Sequence, residues 1–248
     1  MAAKLLVGNW KMNGRAGDAR GCVTALASEL GMESGVATVI CPPFPLLPEA
    51  AAAAEGTAVG VGAQDCHHAA SGAHTGDVAA PLLADAGCGH VIVGHSERRA
   101  DHGETDDTVR AKAQAAAAAG LAPVVCVGET AAERGRAETE AVLVRQIERG
   151  LPAALPHGGA VAYEPVWAIG TGVTPDAEAI ASAMRTVDRC VRERLGEAGA
   201  ECVRLLYGGS VKPANAGELW PIDGVDGFLV GGASLKPDSM LAIARAAP

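Results

Sequence analysis

An α/β fold in which eight parallel strands alternate with helices is predicted by three features of the sequence. Eight short runs rich in β-branched or other apolar residues recur along the chain. Stretches rich in Ala, Glu and Arg lie between them, and polar residues gather just after the apolar runs. Continuous apolar strands separated by helical sequence point to a parallel sheet covered by helices. The expected strands are Leu5–Trp10, Val36–Cys41, Thr57–Ala63, His90–Gly94, Pro123–Gly128, Gly159–Tyr163, Arg204–Tyr207 and Val225–Val230. The clearest helical stretches are Asp18–Leu30, Thr105–Ala119, Glu138–Leu151 and Asp176–Leu195. The Ala-rich segments Ala50–Ala54 and Ala115–Ala119 also read as helix. Thr174-Pro175-Asp176 has the form of a helix start, with Glu178 reinforcing it. Gly120 and Gly196 suit helix ends.

An open sheet and a closed barrel share this pattern, and alternation alone does not choose between them. The polar residues help. Asn9 and Lys11, Gln64, His95, Glu129, Glu164, Ser210 and Gly231-Gly232 each follow an expected strand. In a parallel sheet those ends share one face, and in a barrel they converge on one mouth, where barrel active sites lie. The chain's 248 residues suit one barrel-sized domain, 1–248, with no linker. Aromatics make up only 3%, so the core is expected to rest on Val, Ile, Leu and Ala.

The net charge of −9 speaks against a nucleic-acid partner, since an acidic chain repels phosphate backbones. A small anionic substrate would need a locally positive site. Seven cysteines, an odd number with no C-x-x-C pair, fit reduced thiols in a cytoplasmic protein better than a disulfide framework or a zinc ribbon. The first residues reach Asn9 and Lys11 too soon for a signal peptide. The longest nearly apolar run, Ala115 to Gly128, is broken by Gly120 and Pro123 and is too short to span a membrane.

Several residues could carry chemistry. Glu164 ends a strand and could be a general base, although a strand-end acid or a cap partner has the same position. The apolar segment from Pro165 to Gly172 has stiff ends and a small centre, which suits a hinged lid. His95, in Gly94-His95-Ser96-Glu97, would sit at a helix N-terminus that disfavours its cation. It could then act as a neutral hydrogen-bond donor, or be a loop histidine. Asn9 and Lys11 are expected on one side of an extended strand, where they could stabilise an oxyanion. Lys11 could equally be a solvated strand-end lysine. Gly208-Gly209 and Gly231-Gly232 follow the last two strands, where barrels commonly bind phosphate through backbone N–H groups. No metal is expected: Cys66-His67-His68 and the pair His90 and His95 lack a ligand spacing, and adjacent histidines on an extended chain would point apart.

Six motifs together give the chain a close resemblance to the triosephosphate isomerase family. They are Gly8–Asn13 (GNWKMN), Gly94–Arg99 (GHSERR), Val127–Thr130 (VGET), Ala162–Gly172 (AYEPVWAIGTG), Tyr207–Val211 (YGGSV) and Gly227–Leu235 (GFLVGGASL). They run in the family's order from the first expected strand to the last. The resemblance implies a single (β/α)8 TIM barrel that interconverts dihydroxyacetone phosphate and D-glyceraldehyde 3-phosphate in glycolysis and gluconeogenesis, with no cofactor. It implies Glu164 as the base, neutral His95 as electrophile and Lys11 as local positive charge beside Asn9. The pairing of a glutamate base with a neutral histidine under a closing loop is the known case for this family and comes from the resemblance alone. Glu97 would hold Lys11, and Cys126 would support the site. Gly170, Ser210, Gly231 and Gly232 would bind phosphate, and Tyr207 would help fix the closed lid.

The family is usually dimeric, so a homodimer is expected through loop Gln64 to Asp77, with Thr75 reaching the neighbouring site. Asp65 stands where the family often has Asn, His74 where an aromatic is frequent, and Val173 where a basic residue is frequent. His74 is therefore expected to make dimer stability pH-dependent. Two other readings remain open at this point: a different phosphosugar isomerase or epimerase on the same barrel, and a binding homologue without catalysis.

Overall fold

The computed structural model describes residues 4–31, 35–170 and 175–248. Among these, strands β1 (Lys4–Asn9), β2 (Val36–Cys41), β3 (Val59–Ala63), β4 (His90–Val93), β5 (Ala122–Val127), β6 (Ala160–Tyr163), β7 (Arg204–Tyr207) and β8 (Gly227–Val230) pair in parallel in chain order. β8 returns to β1, which closes a barrel. The intervening helices are α1 (Ala16–Glu29), α2 (Leu47–Ala54), α3 (Ala80–Asp85), α4 (Ser96–His102), α5 (Asp106–Ala118), α6 (Ala131–Gly135), α7 (Thr139–Gly150), α8 (Ala177–Ala200), α9 (Pro213–Leu219) and α10 (Pro237–Arg245).

The strands' alternation sorts the core into two layers. One cluster fills the barrel interior with Leu5, Val7, Val39, Cys41, Ile92, Val124, Cys126, Ala160, Ala162, Leu206 and Leu229. Their neighbours of opposite parity, such as Leu6, Ile40, Val91, Val125, Val161, Leu205 and Phe228, pack outward against the helices. Asn9 and Glu164 continue the inward parity of Leu5–Val7 and Ala160–Ala162, so strand geometry aims both at the mouth.

Several boundaries differ from the sequence reading, each for a local reason. β3 begins at Val59, because the Thr57 hydroxyl donates to Ala54 O and accepts from Val59 N–H, a turn that links it to α2. β8 begins at Gly227, because Val225 N–H donates to Ile222 O within a turn. The cap of α8 is Asp176, whose carboxylate accepts from Ala179 N–H at 2.7 Å. The expected cap Thr174 lies outside the described residues, as do Thr171, Gly172 and Val173. At Gly196 (φ 72°, ψ 166°) the helical conformation breaks as expected, yet a further turn follows and carries α8 to Ala200.

β1 ends at Asn9, so Lys11 does not share an extended strand with it. Lys11 has φ 53°, a left-handed conformation. The turn is held by Asn9 Oδ1, which accepts Lys11 N–H at 3.0 Å, and by Gln64 Nε2, which donates to Lys11 O at 2.8 Å. Such a conformation costs a non-glycine residue about 1–2 kcal/mol, which these bonds must offset.

Candidate active site

The ends of β1, β4, β6, β7 and β8 open into one cavity of about 450 Å³. Asn9, Lys11, His95, Glu164, Gly170, Ser210, Gly231 and Gly232 all line it. Five separate stretches of chain therefore bring most of the candidate residues to one mouth.

His95 is turned into the cavity by Gly94, whose φ of 67° is left-handed. A side chain there would place Cβ 2.7 Å from the Val109 methyls. His95 then caps α4, its Nδ1 accepting Glu97 N–H at 3.2 Å. A ring nitrogen that accepts carries no proton, so the proton of the neutral ring is on Nε2. Nε2 lies 3.0 Å from Glu164 Oε1, and the other Glu164 oxygen accepts Ser96 N–H at 3.2 Å. The two groups are almost fully buried and bonded to each other.

Burial works against the charge on Glu164, but His95, the Ser96 N–H and Lys11 outweigh it. Its pKa is held below the ordinary carboxylate value, and the group is ionised. Burial likewise opposes charge on His95, while the Glu164 carboxylate pushes the balance above the ordinary histidine value. The geometry still selects the neutral ring. A second proton on Nδ1 would break the bond from the Glu97 N–H at 3.2 Å and face the positive end of α4, a cost that exceeds the pull of Glu97 Oε2 3.7 Å away, so the Glu164 carboxylate holds the existing Nε2 proton and adds none.

Lys11 Nζ donates to Glu97 Oε1 at 2.5 Å. Glu97 does not line the cavity itself. It borders an adjoining cavity of about 670 Å³, shared with Lys11, Met12, Gln64 and Arg98. Cys126 sits inside the barrel beside Glu164, where burial and that carboxylate push its thiol pKa well up. Tyr207 is buried on the outward face of β7, and its hydroxyl has no partner among the described residues. Thr75 is exposed in the loop after β3, away from this cavity.

At the β7 and β8 ends, Gly208, Gly209, Ser210, Gly231 and Gly232 form the far wall. Gly232–Leu235 makes a short 3-10 turn, tied down by Ser234 Oγ donating to Gly231 O at 2.6 Å and by Trp10 Nε1 donating to Ser234 O at 3.0 Å. Lys212 also lines the cavity and adds a second positive charge to that of Lys11. The sequence reading passes over it, although a lysine two residues beyond Ser210 is a visible signal for an anion site.

The segment after Glu164 begins with a 3-10 turn, Val166–Ala168. Trp167 Nε1 donates to the buried Glu129 Oε1 at 2.9 Å, Tyr163 OH donates to the same oxygen at 3.2 Å, and the Arg134 guanidinium lies 4.1 Å from the Trp167 ring centre. The start of this segment is thereby tied to the β5–α6 loop.

One expectation about the loop after β3 needs correction. His67 and His68 do not point apart, because the chain turns there and their ring centres are 4.2 Å from each other. His67, His74 and Asp77 also come together. His67 Nδ1 accepts Ala69 N–H at 3.0 Å, so its proton is on Nε2, the nitrogen facing Asp77. That arrangement disfavours metal ligation through Nε2. Asp65 forms a buried ion-pair cluster with Lys112, Arg98 and Glu104.

The profile of the family described as triosephosphate isomerase matches residues 4–247. The triosephosphate isomerase of Acidiphilium cryptum is 50% identical, with 98% of each chain covered. That of Afipia carboxidovorans is 52% identical, covering 98% of this chain and 97% of its own. The crystal structure of triosephosphate isomerase from Bartonella henselae superimposes with a TM-score of 0.89 at 42% identity, over 98% of each chain. On the family profile, the identities over nearly the whole length and the superposed barrel, the chain belongs to the triosephosphate isomerase family.

Proposed function

We infer that this isomerase interconverts dihydroxyacetone phosphate and D-glyceraldehyde 3-phosphate, the whole chain acting as one catalytic domain. The observation that carries the site assignment is the direct pairing of an ionised Glu164 with a neutral His95 at the barrel mouth. With dihydroxyacetone phosphate bound, Glu164 takes a proton from carbon 1. The electron pair left behind forms the carbon 1–carbon 2 double bond, and the carbonyl π electrons move onto the oxygen of carbon 2. His95 Nε2–H donates to that oxygen and moves protons between the two oxygens of the enediolate. Glu164 then returns its proton to carbon 2. Lys11 places positive charge beside the developing oxyanion, with Asn9 next to it and Glu97 positioning its ammonium. Ser210, Gly231, Gly232 and Gly170 hold the phosphate with backbone N–H groups, and Lys212 adds charge. The segment after Glu164 acts as a lid that excludes water and protects the enediolate from losing phosphate. Tyr207 braces the closed lid, and Cys126 packs behind the base. Moving a proton calls for no redox cofactor or metal.

The test is turnover of glyceraldehyde 3-phosphate across pH. The family is itself a standard example of kcat/KM near the diffusional ceiling of about 10⁸–10⁹ M⁻¹s⁻¹. Because Glu164 is held below the usual carboxylate range, kcat/KM is expected to stay level from about pH 8 to about pH 5 once the substrate phosphate (pKa about 6) is allowed for. An extra acid limb near the histidine range would mean that His95 takes a second proton, and the neutral-ring assignment would fail.

The chain acts as a cytoplasmic homodimer, its loop 64–77 seated on a second copy and Thr75 reaching the neighbouring site. Met12 is 95% exposed and Leu82 58% exposed, unusual for large apolar side chains, and Met12 borders the groove beside the active site. Among the described residues no helix is long and apolar enough to cross a membrane, and all seven cysteines are unpaired. His74 sits in that exposed loop with its ring 4.0 Å from that of His67. Dimer dissociation measured by sedimentation at about pH 5.5 and about pH 8, the window in which histidines change charge, is expected to differ more for the wild type than for His74→Phe. Equal pH responses would remove His74 from the account.

A further inference from the structure

β5 ends between the strand that leads to His95 and the strand that leads to Glu164, yet none of the proposed reacting groups comes from it. Its C-terminal backbone is gripped from outside the barrel by two side chains. Arg99, on α4, donates from Nε to Gly94 O at 2.8 Å and from Nη2 to Cys126 O at 3.1 Å, while Nη1 pairs with Asp106 at 2.7 Å. The planar guanidinium thus spans the carbonyl just before His95 and a carbonyl at the end of β5. Gln146, buried on α7, accepts Gly128 N–H at Oε1 (2.7 Å) and donates from Nε2 to Gly128 O (3.2 Å). That two-bond clamp fixes the peptides on both sides of Gly128.

Gly128 is in turn the surface against which the base's own backbone rests. A Cβ at 128 would lie 1.7 Å from Glu164 O, and Glu164 N–H donates to Val127 O at 2.7 Å. The chain of contacts is continuous from Arg99 and Gln146 through the β5 end to His95 on one side and Glu164 on the other. Resting on the isomerase reading above, we propose that Arg99 and Gln146 are positioning residues for the proton transfer: they hold the β5 terminus as the spacer that sets the distance between imidazole and carboxylate. Neither touches substrate. Both act through backbone groups whose displacement moves the two reacting side chains relative to each other.

A purely structural role makes a different prediction. Buried carbonyls and N–H groups need partners in any fold, and losing them would lower stability while the molecules that remain folded turned over normally. Gln146→Glu separates the two roles. The introduced side chain, when protonated, can both accept from Gly128 N–H and donate to Gly128 O. When ionised it can only accept, and it presents a carboxylate to a carbonyl. Burial raises the pKa of such a group into the accessible range.

The experiment measures kcat and KM for wild type, Gln146→Glu, Gln146→Met and Arg99→Lys from about pH 6 to about pH 8, each divided by the wild-type value at that pH and by the folded fraction from circular dichroism. A misplacement of about 1 Å can cost about a hundredfold in rate, so a kcat loss on the order of tenfold to a hundredfold is expected for Gln146→Met and Arg99→Lys, with KM changed little. Gln146→Glu is expected to resemble Gln146→Met at the alkaline end and to recover towards wild type at the acid end. If Gln146→Met fails to fold, Arg99→Lys, which keeps the charge opposite Asp106 but loses the fork, and Gln146→Glu still decide. Wild-type kcat in every folded variant at every pH, with only the melting temperature lowered, would overturn the proposal and leave the isomerase reading intact. A wild-type protein without isomerase turnover would instead overturn that reading.

Discussion

Glu164→Asp is expected to lower kcat by a factor on the order of 10²–10³, with a small change in KM. The substitution keeps the charge and withdraws the carboxylate by one carbon–carbon bond, about 1.5 Å. Glu164 reaches His95 Nε2 at 3.0 Å and Ser96 N–H at 3.2 Å from a strand held rigidly in the barrel wall. The backbone cannot follow the shortened side chain, because Gly128 already lies against Glu164 O. The proton must then cross a longer gap, and a hundredfold loss corresponds to about 2.7 kcal/mol of barrier. On the proposed assignment substrate grip comes from the β7 and β8 loops on the far wall, so KM should hardly move. Steady-state kinetics in both directions would measure it. A loss of less than threefold would remove Glu164 from the proton transfer.

Lys112→Met is expected to destabilise the fold by about 3–5 kcal/mol at neutral pH, although it nearly preserves side-chain length. Lys112 is 5% exposed. Its ammonium donates to both Asp65 oxygens, at 2.8 and 2.9 Å, and to Glu104. Without it, the two buried carboxylates share, among the described residues, only Arg98, which lies 2.9 Å from Asp65 and 2.6 Å from Glu104. The two acids respond differently even in the intact cluster. Burial outweighs Lys112 at Asp65 and raises its pKa, whereas at Glu104 burial is outweighed by Lys112 and Arg98 and the pKa falls.

The signs follow from linkage. The Glu104 contribution is present above the unfolded carboxylate pKa and is lost as pH falls through the lower folded value. The Asp65 contribution is present below its unfolded pKa and is lost as pH rises through the higher folded value. Removing Lys112 raises both folded values, so the penalty should be largest near neutral pH and should shrink towards about pH 4 as the acids take protons. Urea unfolding at fixed chain concentration would measure it. A penalty below about 1 kcal/mol, or one that grows on acidification, contradicts this account of the cluster.

Residues whose environment is set by their own strand are the legible ones. β2 and β7 fall where apolar runs begin and end, and Glu164, Asn9 and His95 can be placed because each follows such a run. Lys11 can be placed near Asn9 but not in the right conformation, since its left-handed turn depends on Gln64 from another part of the chain. The short helices α3, α6 and α9 span only 6, 5 and 7 residues, too few turns for a 3.6-residue period to declare itself. Asp65 is marked from the sequence only by the resemblance, which leads one to expect Asn there, while its partners Lys112 and Glu104 lie far along the chain and read as ordinary helix-region charges. Gln146 leaves no local signal, and Arg99 ends the Gly94–Arg99 motif without its backbone contacts being legible there. What they hold at the β5 end is backbone, which carries no side-chain identity to read.

The hydrogen bond between His95 and Glu164 sets a condition on recognition. On the proposed assignment these two groups satisfy each other, so binding would be an exchange in which the substrate's carbonyl replaces the carboxylate as the acceptor of Nε2–H. An anion that fits the β7 and β8 loops but offers no acceptor at that point leaves the exchange undone and gains only the grip on its charged end. On the same assignment, discrimination between a triose phosphate and other small phosphates would rest less on shape than on competition for one hydrogen bond, and that competition would free the carboxylate for carbon once the right ligand is in place.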